Sequence, residues 1–227
     1  MRGENAEPEP EDSHDPIDPA ARRLLLIDSD VFVLFAAAGL LDRAIGCLGF
    51  DRDDARRLDA LPSMLRKGKK FADLTVAERE AALTWCDRIA PFRESPNPDT
   101  MQKLTGITNI DPGETTLLAT CHDNPVSVLF TGDKRALHAL AKGAPAFCAK
   151  LSGRVACLEQ VLATMVTSDG VGTIYAALAV RAQHHKVLIV CFSEVNRASQ
   201  ADCLSFLQGY INKLGRDLPA NWLWAVP

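Results

Sequence analysis

The stretch Leu24-Leu25-Leu26-Ile27-Asp28-Ser29-Asp30 restricts the fold more than any other part of the chain. Four large aliphatic side chains in succession leave no polar face. A short run of this kind reads as a strand buried on both sides, as in a parallel sheet covered by helices. The run ends abruptly in carboxylates. In open α/β sheets ligands bind outside the carboxyl ends of the strands, and Asp28 is expected at such an end. Later segments around Glu114 and Asp133 can bring partners to it.

The rest of the chain alternates in the manner such a sheet needs. Arg23 to Asp28 reads as the first strand and Val31 to Cys47 as a helix, broken by Gly46 and Gly49. Thr75-Val76-Ala77-Glu78 has capping-box spacing, and the helix after it stops at Pro91. Pro96, Asn97 and Pro98 mark a loop. Asp111-Pro112-Gly113-Glu114 opens another helix, Val126 to Phe130 is a strand, and Lys134 to Lys142 is a helix ended by Gly143 and Pro145. Ala146 to Lys150 and Val155 to Cys157 read as short strands, and Leu158 to Val166 as a helix. Residues 171–214 read as mostly helical, with Val187 to Phe192 open between helix and strand. The Trp222-Leu223-Trp224 end is expected to pack back onto the body. The alternation from 23 to 166 implies an α/β domain with a largely parallel sheet, a helical insertion over 51–110 and a C-terminal helical extension over 167–227.

Composition excludes several classes. The seven cysteines form no C-x-x-C pair and mostly sit in apolar runs, as small buried hydrophobes of a reducing cytoplasm do. Wholly apolar runs such as Val187 to Phe192 are far shorter than the roughly 20 residues that cross a bilayer, so no membrane partner is expected. Residues 1–22 carry seven acids, two bases and four prolines, which reads as a disordered acidic tail and not an export signal. Without that tail the chain has 23 bases and 22 acids. Between Asp51 and Lys70 lie seven bases, read as a solvated surface face or, more sharply, as a phosphate-contacting patch.

Asp28, Glu114 and Asp133 are the candidate catalytic acids. Two follow strand ends and one lies in the first turn of a helix. Singly, each has a plain role as a helix cap: Asp28 or Asp30 before Val31, Asp111 with Glu114 as a capping box, and Asp133 before Lys134. Jointly, they are what a hard divalent cation such as Mg²⁺ or Mn²⁺ requires, carboxylate oxygens with room left for substrate phosphate. In phosphodiester hydrolysis such a cation activates water and neutralises charge at phosphorus.

The ordered set carries a resemblance. Leu26-Ile27-Asp28-Ser29-Asp30-Val31-Phe32-Val33 resembles the opening motif of PIN-domain nucleases. Asp111-Pro112-Gly113-Glu114-Thr115-Thr116-Leu117-Leu118-Ala119 is similar to the Gly-Glu helix start of one PIN branch, and Leu129-Phe130-Thr131-Gly132-Asp133-Lys134-Arg135-Ala136-Leu137 to the family's late strand, Thr-x-Asp and helix. The match covers about residues 23–166. It implies a three-layer α/β/α PIN-like fold, Mg²⁺ or Mn²⁺ as cofactor, and endoribonuclease activity on RNA, often as the toxin of a toxin–antitoxin pair. An antitoxin or other protein partner follows from the resemblance, and a homodimer is left open. Carried over by residue, Asp28, Glu114 and Asp133 would be metal ligands, with Asp30 and Asp111 as candidates for a fourth. Thr131, Lys134 and Arg135 would serve the substrate side, Thr131 through a hydrogen bond within the site.

Two other classes fit parts of the pattern. Asp28-Ser29-Asp30 matches the Asp-x-Asp opening of phosphatases resembling the haloacid dehalogenase superfamily, in which the first Asp is the nucleophile. That reading lacks a later acidic pair and leaves Glu114 unexplained. A non-catalytic module with a PIN-like fold, binding RNA or protein, is the third. His184-His185 reads as surface, and His122 and Asp123 as part of a turn before Pro125.

Overall fold

Strand β1, Leu25–Ile27, sends its side chains into two different cores: Leu25 and Ile27 to one, Leu26 to the other. Its neighbours keep the alternation in register. Val128 and Phe130 of β3 (Val128–Thr131) and Ala156 of β4 (Val155–Cys157) join the first core, while Leu129, Val155 and Cys157 join the second. Pairing sets Leu25 beside Val128, Ile27 beside Phe130 and Phe130 beside Ala156, all parallel. Both faces of the sheet are covered by helices, which is why the strands are apolar without relief. The computed structural model describes residues 23–67, 69–93, 95–182 and 185–226; the acidic tail read over 1–22 lies outside the described residues.

Among the described residues the sheet has four strands in the order β2-β1-β3-β4, with β2 at Ala55–Arg57. Helices α1 (Ser29–Ala37) and α2 (Leu41–Cys47) lead from β1 to β2. Then α3 (Leu61–Lys67), α4 (Val76–Arg88), α5 (Pro98–Leu104) and α6 (Pro112–Asp123) lead across to β3, on the far side of β1. Helices α7 (Lys134–Gly143) and α8 (Pro145–Ala149) lead on to β4. The strand order therefore reverses between β1 and β3, and a crevice opens at their carboxyl ends. Helices α9 (Leu158–Asp169), α10 (Val171–Ala182), α11 (Lys186–Cys191) and α12 (Gln200–Asp217) complete the chain. Ile174, Leu178, Leu188 and Leu207 share the first core with β1, and α12 packs along α9. The architecture is the α/β class read from the sequence, with helices on both faces of an all-parallel sheet.

Several local expectations are corrected. Residues 51–110 are not wholly helical, because they contain β2. Its signal is hidden by Arg56 and by Arg57, whose buried guanidinium donates to the Cys86 carbonyl near the end of α4 at 3.1 and 2.9 Å. Ala146 to Ala149 belong to α8 and Lys150 is its C-cap, so the segment is not a strand; Pro145 acts there as a first helical residue. The helix read over 31–47 is two, separated at Gly39 with φ +69°. Val187 to Cys191 resolve as part of helix α11, with Phe192 as its C-cap, and His122 and Asp123 end α6 instead of forming a turn.

The capping box at Thr75 and Glu78 is present, and all seven cysteines are buried and free. No helix among the described residues is long and apolar enough to cross a membrane. Both outer strands are covered. Residues 90–92 run along β2, with the Phe92 N–H donating to the Arg57 carbonyl at 2.8 Å. The C-terminal segment covers β4: the Trp224 N–H donates to Val155 at 2.8 Å, and the buried Trp222 indole donates to the Cys148 carbonyl at 2.7 Å.

Candidate functional site

Asp28 follows the last residue of β1, and its backbone N–H donates to the Phe130 carbonyl at 2.9 Å, which ties it to β3. It occupies the N-cap position of α1, yet its side chain makes no capping hydrogen bond. Instead the Thr131 hydroxyl donates to Asp28 Oδ2 at 3.1 Å, and the Asp133 N–H donates to Thr131 Oγ1 at 3.1 Å. This relay crosses the β1/β3 crevice. Gly132 fits between the two turns because a Cβ there would lie 3.2 Å from Val31 Cγ1.

Asp28 faces an open groove of about 870 Å³ that it shares with Ser29, Asp111 and Glu114, and whose lining also includes Leu58, Met64, Phe92 and Arg93. Asp28, Glu114 and Thr131 also line one small crevice beneath it. Glu114 is bound in a complete capping box, accepting from the Asp111 N–H at 2.7 Å while its own N–H donates to Asp111 Oδ1 at 2.8 Å. Asp133 caps α7, accepting from the N–H groups of Arg135 at 2.8 Å and Ala136 at 3.1 Å, and Arg135 also reaches it at 3.2 Å. Two of the three acids thus do the capping their positions suggest, and Asp28 does not.

The electrostatics bind these groups together. Asp28 is 5% exposed, and its pKa is pushed up to about 6 by burial and then by Asp30, against the pull of Lys70 and of the Thr131 hydroxyl. Glu114 is held well above the ordinary carboxylate range by burial and by Asp111, Asp133 and Asp28. Burial opposes the charge of Asp133 as well, but the Ala136 and Arg135 bonds outweigh it and its pKa ends low. Lys70 Nζ lies 3.0 Å from Asp30 Oδ1 and 3.9 Å from Asp111 Oδ2. Partial burial disfavours its ammonium, and Asp30, Asp28 and Asp111 more than compensate.

The donor set fits a hard divalent cation in kind. It is all oxygen, it is short of positive charge, and the Ser29 hydroxyl beside Asp28 is buried without a hydrogen-bond partner. As the side chains stand, no three His, Cys, Asp or Glu groups among the described residues converge closely enough to hold an ion. The capping bonds of Glu114, Asp111 and Asp133 explain that spacing, since each turns a carboxylate towards its own helix end.

The remaining sequence candidates are placed as follows. Thr131 is 5% exposed and serves Asp28. Lys134 pairs with the buried Glu159 and lies 4.4 Å above the Tyr210 ring, so its charge is already engaged. Arg135 is exposed and paired with Asp133. Asp30 and Asp111 are joined through Lys70. His184 lies outside the described residues. His185 is partly buried, its Nδ1 has no hydrogen-bond partner, and burial lowers its pKa.

Two residues escaped sequence reasoning. Glu159 follows β4 after one intervening residue, as Asp133 follows β3, so the strand-then-carboxylate pattern could have found it. No local signal could have singled out Lys70 within its basic run.

Protein-family models, curated proteins and solved structures give no match to this chain. The functional reading therefore rests on geometry and on the motif resemblance.

Proposed function

We propose that this chain is a divalent-metal-dependent endoribonuclease of the PIN type, with Asp28, Glu114 and Asp133 as its acidic centre. The observation that carries this reading is the carboxylate of Asp28. It stands at the carboxyl end of a central strand, at the point where strand order reverses, and is oriented by Thr131 instead of capping its helix. A structural aspartate at a helix start would be turned to the backbone N–H groups. This one is turned to the groove that Glu114 and Asp111 also line.

Mg²⁺ or Mn²⁺ bound by Asp28, Glu114 and Asp133 would acidify a water and neutralise charge on the phosphate. The chain's own residues do the rest. Thr131 fixes the rotamer of Asp28, and the Asp133 N–H fixes Thr131. Phe92, Leu58 and Met64 give the groove an apolar wall against which bases can lie, with Arg93 in its lining and Arg135 in electrostatic reach of Glu114 for the phosphate backbone. Lys134 has no part in this, since Glu159 holds it.

The test is cleavage of a mixed panel of single-stranded and structured RNA with added Mn²⁺ or Mg²⁺, comparing wild type, Asp28→Asn and Asp133→Asn. Metal-dependent cleavage that both substitutions abolish is the expected result. Turnover of p-nitrophenyl phosphate without RNA cleavage would replace this reading by the phosphatase. Full activity in Asp28→Asn would remove the proposed centre.

A further inference from the structure

Lys70 holds an unusual position for a lysine in a surface loop. It lies between α3 and α4, outside any helix or strand. Its ammonium joins Asp30 in the first turn of α1 to Asp111 at the N-cap of α6, at 3.0 and 3.9 Å. Those two carboxylates flank Asp28 in sequence or in space, and the charge of Lys70 is felt at Asp28 itself. Asp30 and Asp111 are also the two candidates for a fourth acidic ligand, so Lys70 engages carboxylates that border the proposed centre.

We infer that Lys70 is a tethered cation that stands in for a divalent metal at the acidic centre and gives way when the metal binds. The inference rests on the proposed reading of the centre. Oxygen donors that face one another need positive charge between them. In the metal-free protein Lys70 supplies it from the chain. A divalent ion at Asp28 and an ammonium held beside it at Asp30 and Asp111 repel each other, so the two compete.

The structure also provides a place for the displaced side chain. Lys70 lines both the main groove and a second cavity of about 190 Å³, whose walls include Asp30, Asp73, Arg181 and His185. Asp30 is common to Lys70's present contact and to that second cavity. The ammonium can therefore swing away from Asp111 while keeping Asp30, the shorter of its two contacts. Asp111 and Glu114 would then face the arriving ion without a competing charge, at one end of the groove.

Competition has a direct consequence for affinity, because whatever stabilises the metal-free state weakens apparent binding. The experiment is a Mn²⁺ titration of the full chain, stripped of metal, read by the electron-spin-resonance signal of free Mn²⁺. Wild type is compared with Lys70→Gln and Lys70→Arg. The expected result is that Lys70→Gln binds Mn²⁺ at least about fivefold more tightly, with Lys70→Arg near wild type. Binding by Lys70→Gln alone would support the inference most strongly.

Equal or weaker binding in Lys70→Gln, with wild type binding normally, overturns the stand-in role and leaves the proposed centre intact. Absence of binding in all three proteins overturns the centre and the inference together. Thermal unfolding without metal provides a second readout: Lys70→Gln is expected to unfold at a lower temperature than wild type, since its acids lose their counter-charge, and Mn²⁺ is expected to raise its midpoint more than it raises that of wild type. A Lys70→Gln midpoint that Mn²⁺ raises no more than wild type counts against the stand-in role.

Discussion

The hydroxyl of Thr131 donates to the carboxylate of Asp28 at 3.1 Å, across 103 residues of chain. The bond joins the ends of the two central strands and sets the direction in which the most deeply buried acid of the groove points. Because the same oxygen accepts from the Asp133 N–H, one side chain positions two of the three proposed metal-holding residues.

Removing that hydroxyl should therefore damage the centre without damaging the fold. Thr131→Val keeps the shape of the side chain and loses the bond. An orienting partner of a metal-holding residue is worth about 10–100-fold in activity or metal affinity, and RNA cleavage by Thr131→Val is expected to fall within that range. Thr131→Ser retains the hydroxyl and should recover most of the rate. A Thr131→Val protein as active as wild type would show that Asp28 needs no such orientation.

Asp28 should also cost the protein stability. A carboxylate that is 5% exposed and faces Asp30 is unfavourable in the folded state, and its pKa of about 6 expresses this. The folded-state value lies above the ordinary one, so the penalty is absent below pH 3.8, grows as pH rises through about 6, and is complete at neutral pH. Asp28→Asn removes the charge, and no capping bond is lost with it. The variant is expected to be more stable than wild type in EDTA at pH 7 by on the order of 1–3 kcal/mol, measured by urea unfolding. Equal or lower stability would mean that surrounding groups already neutralise Asp28.

These two residues also show what could be read in the chain beforehand. Leu24 to Ile27 announced a strand buried on both faces, because four aliphatics admit no other half-polar arrangement, and both cores confirm it. Asp28, Glu114 and Asp133 could be singled out because two follow recognisable strands and one stands in the first turn of a recognisable helix. Strand β2 could not, since Arg57 sits in it and its burial is made possible by the distant Cys86 carbonyl together with that of Leu58. Lys134 looked available because its partner, Glu159, is far away in sequence and buried. Lys70 was lost among neighbouring bases for the same reason: its role comes from Asp30 and Asp111, which no local pattern connects to it. Tertiary partners decide the function of a charge, whereas burial of an apolar run is decided locally.

Asp123 gives a pH test away from the groove. It lies at the end of α6 and accepts from the Asn97 N–H at 2.8 Å and the Thr100 hydroxyl at 2.7 Å, fastening the start of α5. Burial works against its charge, but these bonds and His122 prevail, and its pKa falls below the ordinary 3.8. A depressed folded-state value contributes stability that is fully present above pH 3.8 and is lost as pH falls through the lower folded value. Asp123→Asn should therefore be less stable than wild type at about pH 6, with the difference shrinking at about pH 2.5. Urea unfolding at both pH values checks it; a difference that does not change with pH would show that the bonds do not depend on the charge.

Glu159 is 1% exposed, and Lys134 is its ion-pair partner. A buried charge kept by one partner is costly when that partner goes, by about 3–5 kcal/mol. Lys134→Met is accordingly expected to destabilise the protein by about 3 kcal/mol, far more than a substitution at a partly exposed helix start usually does. Removing both charges, in Lys134→Met with Glu159→Leu, leaves nothing uncompensated and should restore much of the loss. Urea unfolding of the two single variants and the double variant measures the coupling. Additive effects would mean that Lys134 and Glu159 act independently, and Lys134 would again be free to meet a phosphate at the groove. Strong coupling would fix it as a structural partner of β4's end, and a Lys134→Met protein would then lose RNA cleavage only in proportion to the folded fraction lost.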